Sequence, residues 1–252
     1  MMKNILVLTL LVAIVTHLPA QKNVETLVFD DLGYFNKVSV GPMINLELIQ
    51  GDRESAKIEY KRVEQENIIV KVTGKTLKVY LDKAKMLPER RKEWEGNHYR
   101  HINIYRGARI TAYVTVRDLK RIEARGEERV YSAKPLIVEK LKIKAYGEAN
   151  IYFSSLKADR LKVVMYGAND LEIREGIAKK QVIKGYGDTF VDNMDLLTDK
   201  TKVGILGESE INVNAKDYLR LSSLGETVLK YDGVPRVNRW FTIGENQMYR
   251  VR

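Results

Sequence analysis

Beyond residue 20 the chain carries no sustained helical stripe. Apolar and polar positions alternate instead in short runs, at residues 37–40, 44–49, 68–72, 77–81, 102–105 and 112–116. Side chains alternate faces along a strand, so these runs predict half-buried β-strands and an all-β chain. From Leu119 onward the alternation acquires a period. Glycines fall at Gly126, Gly147, Gly167, Gly187, Gly207 and Gly225, separated by 21, 20, 20, 20 and 18 residues. A period of this size marks a repeat architecture.

Alignment on those glycines gives LKIKAYGEANIYF, LKVVMYGANDLEI, QVIKGYGDTFVDN, TKVGILGESEINV and LRLSSLGETVLKY, preceded by a looser KRIEARGEERVYS. Four places before each glycine stand Ile122, Ile143, Val163, Ile183, Val203 and Leu221. Four places after stand Val130, Ile151, Leu171, Val191, Ile211 and Leu229, so every member of both columns is aliphatic. These columns predict the inward faces of two strands joined by a glycine turn. One such coil cannot bury its inner face, but stacked coils share a core. The predicted fold is a β-solenoid with repeats of about 20 residues, its glycine column running ~24 Å at ~4.8 Å per coil. Residues 21–252 form one all-β domain in this reading: N-terminal strands over 21–118, glycine-turn repeats over 119–235 and a C-terminal cap over 236–252 containing Trp240 and Phe241. The N-terminal strands alternate without a clean period, which leaves open whether they are coils of the same solenoid.

The first twenty residues place Lys3 ahead of an apolar run over residues 5–15, then Pro19 and Ala20. This is the layout of a secretory signal peptide, and the run is about half the ~20 residues that a membrane-spanning helix needs. The expected location is therefore the periplasm, the outer surface or the extracellular space, without a transmembrane span. The chain has no cysteine, which excludes disulfides, cysteine nucleophiles, thiolate metal sites and a lipid-modified cysteine anchor. Lys and Arg number 43 against 33 Asp and Glu, a balance of +10. Removing the leader takes away only Lys3 and leaves the protein basic, which favours anionic partners. Export turns that expectation away from nucleic acid and toward anionic polysaccharides or cell-surface components.

The chain resembles the auto-transporter adhesin head GIN domain family of exported Bacteroidetes proteins, over roughly residues 35–235. The resemblance rests on FNKVSVGPMINLELIQGD, on GKTLKVYL, on VTVRDLKRIEARGEERV, and on the turns AYGEAN, MYGAND, GYGDTF and ILGESE. It implies an all-β fold similar to pectin-lyase-type solenoids, an envelope or surface location and a role in adhesion, with no catalytic motif to carry over. Family members typically place Ser or Ala beside the turn glycine, where this chain has Tyr146, Tyr166 and Tyr186.

Three outward columns are candidates for function. Five places before the glycine stand Arg121, Lys142, Lys162, Val182, Lys202 and Arg220, a basic stripe able to follow a polyanion; the plainer reading is a solvated face whose Lys and Arg stems cover apolar surface. One place before it, Tyr146, Tyr166 and Tyr186 suit an aromatic ladder along the stack or contact with sugars. One place after it stand Glu127, Glu148, Ala168, Asp188, Glu208 and Glu226. These fit solvated turns better than a calcium site, since no calcium-loop spacing is present. The interval 82–101 breaks the strand pattern and reads as a surface loop, possessing at most one helical turn; it holds His98 and His101, two of the chain's three histidines. No nucleophile elbow, phosphate loop or dinucleotide fingerprint occurs. The expected function is non-catalytic, adhesin-like recognition without a cofactor. A structural envelope scaffold is the alternative, with a polysaccharide-acting enzyme behind it.

Overall fold

The computed structural model describes residues 24–251; the leader expected over residues 1–20 lies outside them. The N-terminal elements are β1 (Glu25–Phe29), β2 (Lys37–Val40), β3 (Ile44–Gln50), β4 (Ser55–Lys61), β5 (Ile68–Thr73) and β6 (Thr76–Leu81). They continue through β7 (Arg90–Glu95), β8 (His98–Asn103) and β9 (Arg109–Val116). The repeats supply β10 (Arg121–Gly126), β11 (Arg129–Ser132), β12 (Leu136–Gly147), β13 (Asn150–Phe153), β14 (Leu156–Gly167), β15 (Asn169–Ile173), β16 (Gly176–Tyr186) and the continuous extended run β17 (Thr189–Asp232). Two last strands follow, β18 (Arg236–Ile243) and β19 (Asn246–Arg250).

The strands stack as a β-solenoid of parallel coils. Before the glycine, β10, β12, β14, β16 and β17 pair in register, so that Ile122, Ile143, Val163, Ile183 and Val203 share one column. After the glycine, β11, β13, β15 and β17 do the same through Val130, Ile151, Leu171 and Val191. Both aliphatic columns are buried throughout. A third segment per coil comes from the starts of the long strands, where Leu136, Leu156, Gly176 and Leu196 align inward.

The N-terminal strands are coils of the same stack, built out of sequence order. β2 lies beneath β10 and β3 beneath β11, all parallel. The coil formed by β6 and β9 lies beneath those in turn. Antiparallel strands then cover this end: β5 on β6, β4 on β9, and β1 on β4. An end covered by antiparallel strands ceases to offer a parallel ladder to the next coil. At the other end, the segment expected to close the stack is itself coil-like over 236–250. There β18 and β19 pair in parallel with β17, through a register shift after Leu221.

The turn glycines have φ between +95° and +129° from Gly126 to Gly244. A Cβ on Gly187 or Gly207 would overlap the carbonyl oxygen of the glycine one coil below. Two constraints therefore select glycine: the positive φ and the closeness of the neighbouring turn.

Gly187→Ala is expected to destabilise the protein by at least about 1–3 kcal/mol, because it adds strain at positive φ to a backbone overlap. Gly204→Ala, in the same sheet but with only the Ile183 carbonyl 4.0 Å from its Cβ position, should stay within about 0.5 kcal/mol. Ile211→Asp should exceed both by leaving an unpaired charge in the core. Urea denaturation of the three variants checks the order.

Candidate binding faces

The basic stripe forms as the spacing predicts. Arg121, Lys142, Lys162, Val182 and Lys202 are successive partners in one column on the outer side of the first sheet. Arg121, Lys142 and Lys162 are half-buried, and Lys202 is exposed. Lys37 extends the column one coil downward as the partner of Arg121. Arg220 is engaged differently: its guanidinium lies 3.8 Å from the centre of the Trp240 ring. That contact draws it toward the last coil and away from the free stripe.

Partial burial holds the Lys142 ammonium below its ordinary 10.5, and the like charges of Lys144, Arg121 and Lys162 push in the same direction. Stacking cations at rung spacing thus has a visible electrostatic cost. Among the described residues, none of Lys142, Lys162 and Lys202 has an ion-pair partner.

A second cationic column escaped the sequence reading. Lys140, Arg160, Lys180 and Lys200 align seven places before the glycine, all exposed. Lys140 is paired to its neighbour Glu139 at 2.6 Å. The signal was present in the same glycine alignment, two positions upstream of the stripe. The two columns together make a block two residues wide and four coils long.

The tyrosines form a ladder. Tyr146 and Tyr166 stack with centroids 5.1 Å apart and planes 5° apart, and Tyr166 and Tyr186 at 4.8 Å and 9°. Arg125 closes the lower end over Tyr146 at 4.4 Å and is itself tied to Glu123 at 2.7 Å. Above Tyr186 the column continues as Leu206. The rings face one another along the axis and leave their edges to solvent, so flat contact with a sugar ring is open only by displacing a neighbour.

The acidic turn column lies along another edge. Glu148, Asp188, Glu208 and Glu226 border a trough of about 610 Å³ on the second sheet. It runs into a larger one of about 740 Å³ that shares Asn150, Asp170 and Phe190. The acidic turn column thus lies apart from the Lys142, Lys162 and Lys202 column, while the first-sheet strands also carry Glu123, Glu139 and Asp159 and the second sheet carries Arg129, with Arg174 just past β15. Among the described residues, no group of three or more His, Asp or Glu is placed to hold a metal ion.

The interval 82–101 differs from expectation. It holds one strand and part of another of a separate β-hairpin, β7 with β8, and no helical turn. Gly96-Asn97 makes its two-residue turn, a hairpin signal present in the sequence. Trp94 packs edge-on against Tyr99 at 4.8 Å with both rings largely exposed. His98 and His101 are three apart on one strand, so they project from opposite faces and do not converge on a shared ligand.

The chain belongs to the family described as "Putative auto-transporter adhesin, head GIN domain", which it matches over residues 34–235. A search of curated proteins gives no match. Among solved structures, a putative adhesin from Bacteroides fragilis NCTC 9343 aligns with a TM-score of 0.74 at 20% identity, covering 91% of this chain and 98% of that one. A putative adhesin from Parabacteroides distasonis ATCC 8503 gives 0.67 at 16%, covering 91% and 98%. A protein called a putative lipid binding protein, from the same strain, gives 0.63 at 16%, covering 91% and 97%. At these identities the likeness establishes the fold. One fold carries both descriptions, so function has to be argued from the faces. Among the described residues no helix is long and apolar enough to cross a membrane.

Tyr166→Ala removes both stacking contacts of the central ring. The expected loss is about 1–3 kcal/mol, from two pairs each worth roughly 0.5–1.5 kcal/mol. A ladder that only decorated the surface would leave the urea midpoint unchanged.

Proposed function

We propose that this protein is an exported, non-catalytic adhesin-like module of the bacterial envelope or surface whose basic face receives anionic glycans or anionic surfaces. The observation that carries this reading is the cationic block on the first sheet. Lys142, Lys162 and Lys202 stand on stacked strands with no ion-pair partner among the described residues, Lys142 feeling only the more distant attraction of Glu123. Beside them Arg160, Lys180 and Lys200 repeat the arrangement.

A cation with no partner in the free protein keeps its full interaction for a ligand, and like charges held at rung spacing gain when an anion neutralises them. Adhesin family membership supports a surface role. Because the block repeats itself coil after coil, it favours fast, salt-dependent capture over fine selectivity. No feature of the block performs chemistry: it presents charge, and its residues include no paired acid and base aimed at a common point.

Reversal of Lys142, Lys162 and Lys202 to Glu is expected to weaken binding to a uronate polymer such as polygalacturonate by at least about tenfold. Each exposed pair is worth roughly 0.2–1 kcal/mol, and reversal replaces attraction with repulsion. Unchanged binding by a variant that retains the wild-type melting curve would discard the basic-face reading.

The same face sets a pH dependence. Free Lys142 titrates below 10.5, and a bound anion stabilises its charged form and raises that value. Binding should therefore take up protons, and weaken, as pH rises from the lowered free value to the higher value of the bound state. Calorimetry in two buffers of different ionisation enthalpy measures the uptake, and Lys142→Arg should abolish its contribution.

A further inference from the structure

We propose that the trough on the outer side of the second sheet, between Arg129 and Phe190, binds a neutral pyranose oligosaccharide. It is a different face from the cationic block, and the inference does not depend on the reading of that block.

The trough exists because one column changes size. Three places after the glycine, the outward residues run Arg129, Asn150, Asp170 and Phe190 on successive coils. Two short side chains lie between two long ones, leaving a gap that spans three rungs, ~14 Å. The open trough, about 740 Å³, falls within the range of small-ligand sites.

One wall is held in place before any ligand arrives. The Tyr131 hydroxyl donates to Glu47 at 2.6 Å, and burial together with that bond keeps the phenol protonated. The Arg174 guanidinium lies 5.4 Å from the Tyr152 ring centre and donates to Glu172 at 2.8 Å. A wall so fixed loses little freedom on binding.

The floor, by contrast, offers unused hydrogen-bonding groups. The Asp170 carboxylate is exposed and has no hydrogen-bond or ion-pair partner among the described residues. The Asn150 amide donates only to the Glu148 carbonyl, at a long 3.5 Å. At the end of the gap the Phe190 ring is 40% exposed.

These parts match one ligand chemistry. A carboxylate accepts two neighbouring hydroxyls, a primary amide both donates and accepts, and an aromatic ring covers the apolar C–H face of a pyranose. The trough offers a polyanion little: of its charged groups Glu172 is tied to Arg174, Arg129 at one end is balanced by the unpaired Asp170, and Glu148, Asp188 and Glu208 border its continuation.

The test is an array of neutral gluco-, galacto- and manno-oligosaccharides beside polygalacturonate and oligolysine, probed with the full mature chain. Four forms are compared: wild type, Phe190→Ala, Asp170→Asn and the triple Lys-to-Glu variant of the basic face. Both trough substitutions lie on the exposed side of a strand, and thermal melts verify that each variant is folded.

The expected result is saturable, salt-insensitive binding of at least one neutral oligosaccharide. It should fall at least about tenfold in Phe190→Ala and in Asp170→Asn, the loss expected when a charged acceptor is removed, and persist in the basic-face variant. Silence across the neutral sugars overturns the proposal, as does neutral-sugar binding that survives both trough substitutions. Capture of oligolysine alone, abolished by Asp170→Asn, overturns it in favour of a cationic peptide. Loss of polygalacturonate binding in the triple variant reports on the basic face only.

Discussion

The structure depends on how closely one glycine turn approaches the next. At Gly187 and Gly207 the carbonyl oxygen of the turn below occupies the space a Cβ would need. That approach lets successive coils sit at ladder distance, with the Glu148 amide donating to the Gly126 carbonyl at 2.9 Å. Once the turns are stacked, the flanking strand positions of β10 to β17 are stacked too. Each residue then meets its counterpart one coil away, whatever its chemistry. Ile183 meets Val203, Tyr166 meets Tyr186, and Lys142 meets Lys162.

Like on like is favourable inside and in the ring ladder, and unfavourable among the cations. Magnitudes decide which dominates. A buried aliphatic side chain contributes roughly 1.5–3 kcal/mol, and Ile143, Val163 and Ile183 are each fully buried. Like charges opposed across strands cost only tenths of a kcal/mol to about 1 kcal/mol when solvated. The core therefore tolerates a column of lysines that no isolated hairpin would retain. Outward columns are free of folding constraints to that extent, and the breaks in them are informative. Val182 interrupts the cations, Ala168 the acids, and Phe190 follows the short Asn150 and Asp170.

This explains what was legible in the sequence. Columns with a fixed period translate directly into stacked neighbours, so the core, the basic stripe and the tyrosine ladder could be read from the glycine spacing. The N-terminal coils could not. The coil of β6 and β9 is inserted beneath that of β2 and β3, and β4 and β5 run against the stack. Stacking out of chain order leaves no period to detect, although each strand keeps its alternation. The engagement of Arg220 by Trp240 was hidden for a related reason, since it crosses to a coil whose register shifts after Leu221. Troughs on the second sheet depend on side-chain length within a column, and an alignment by polarity alone does not display length.

Periodicity also separates what the two faces can recognise. Apart from Val182 the cationic block looks nearly the same after a shift of one coil, so on the proposed reading a polyanion would find several registers of similar energy. Such a surface would hold a ligand without fixing its position. Around Asp170 no such shift is possible, because one coil up the column presents the Phe190 ring and two coils down it presents Arg129. A ligand there meets one arrangement of carboxylate, amide and ring. Selectivity requires that kind of uniqueness; in a solenoid it arises only where the repeat is broken.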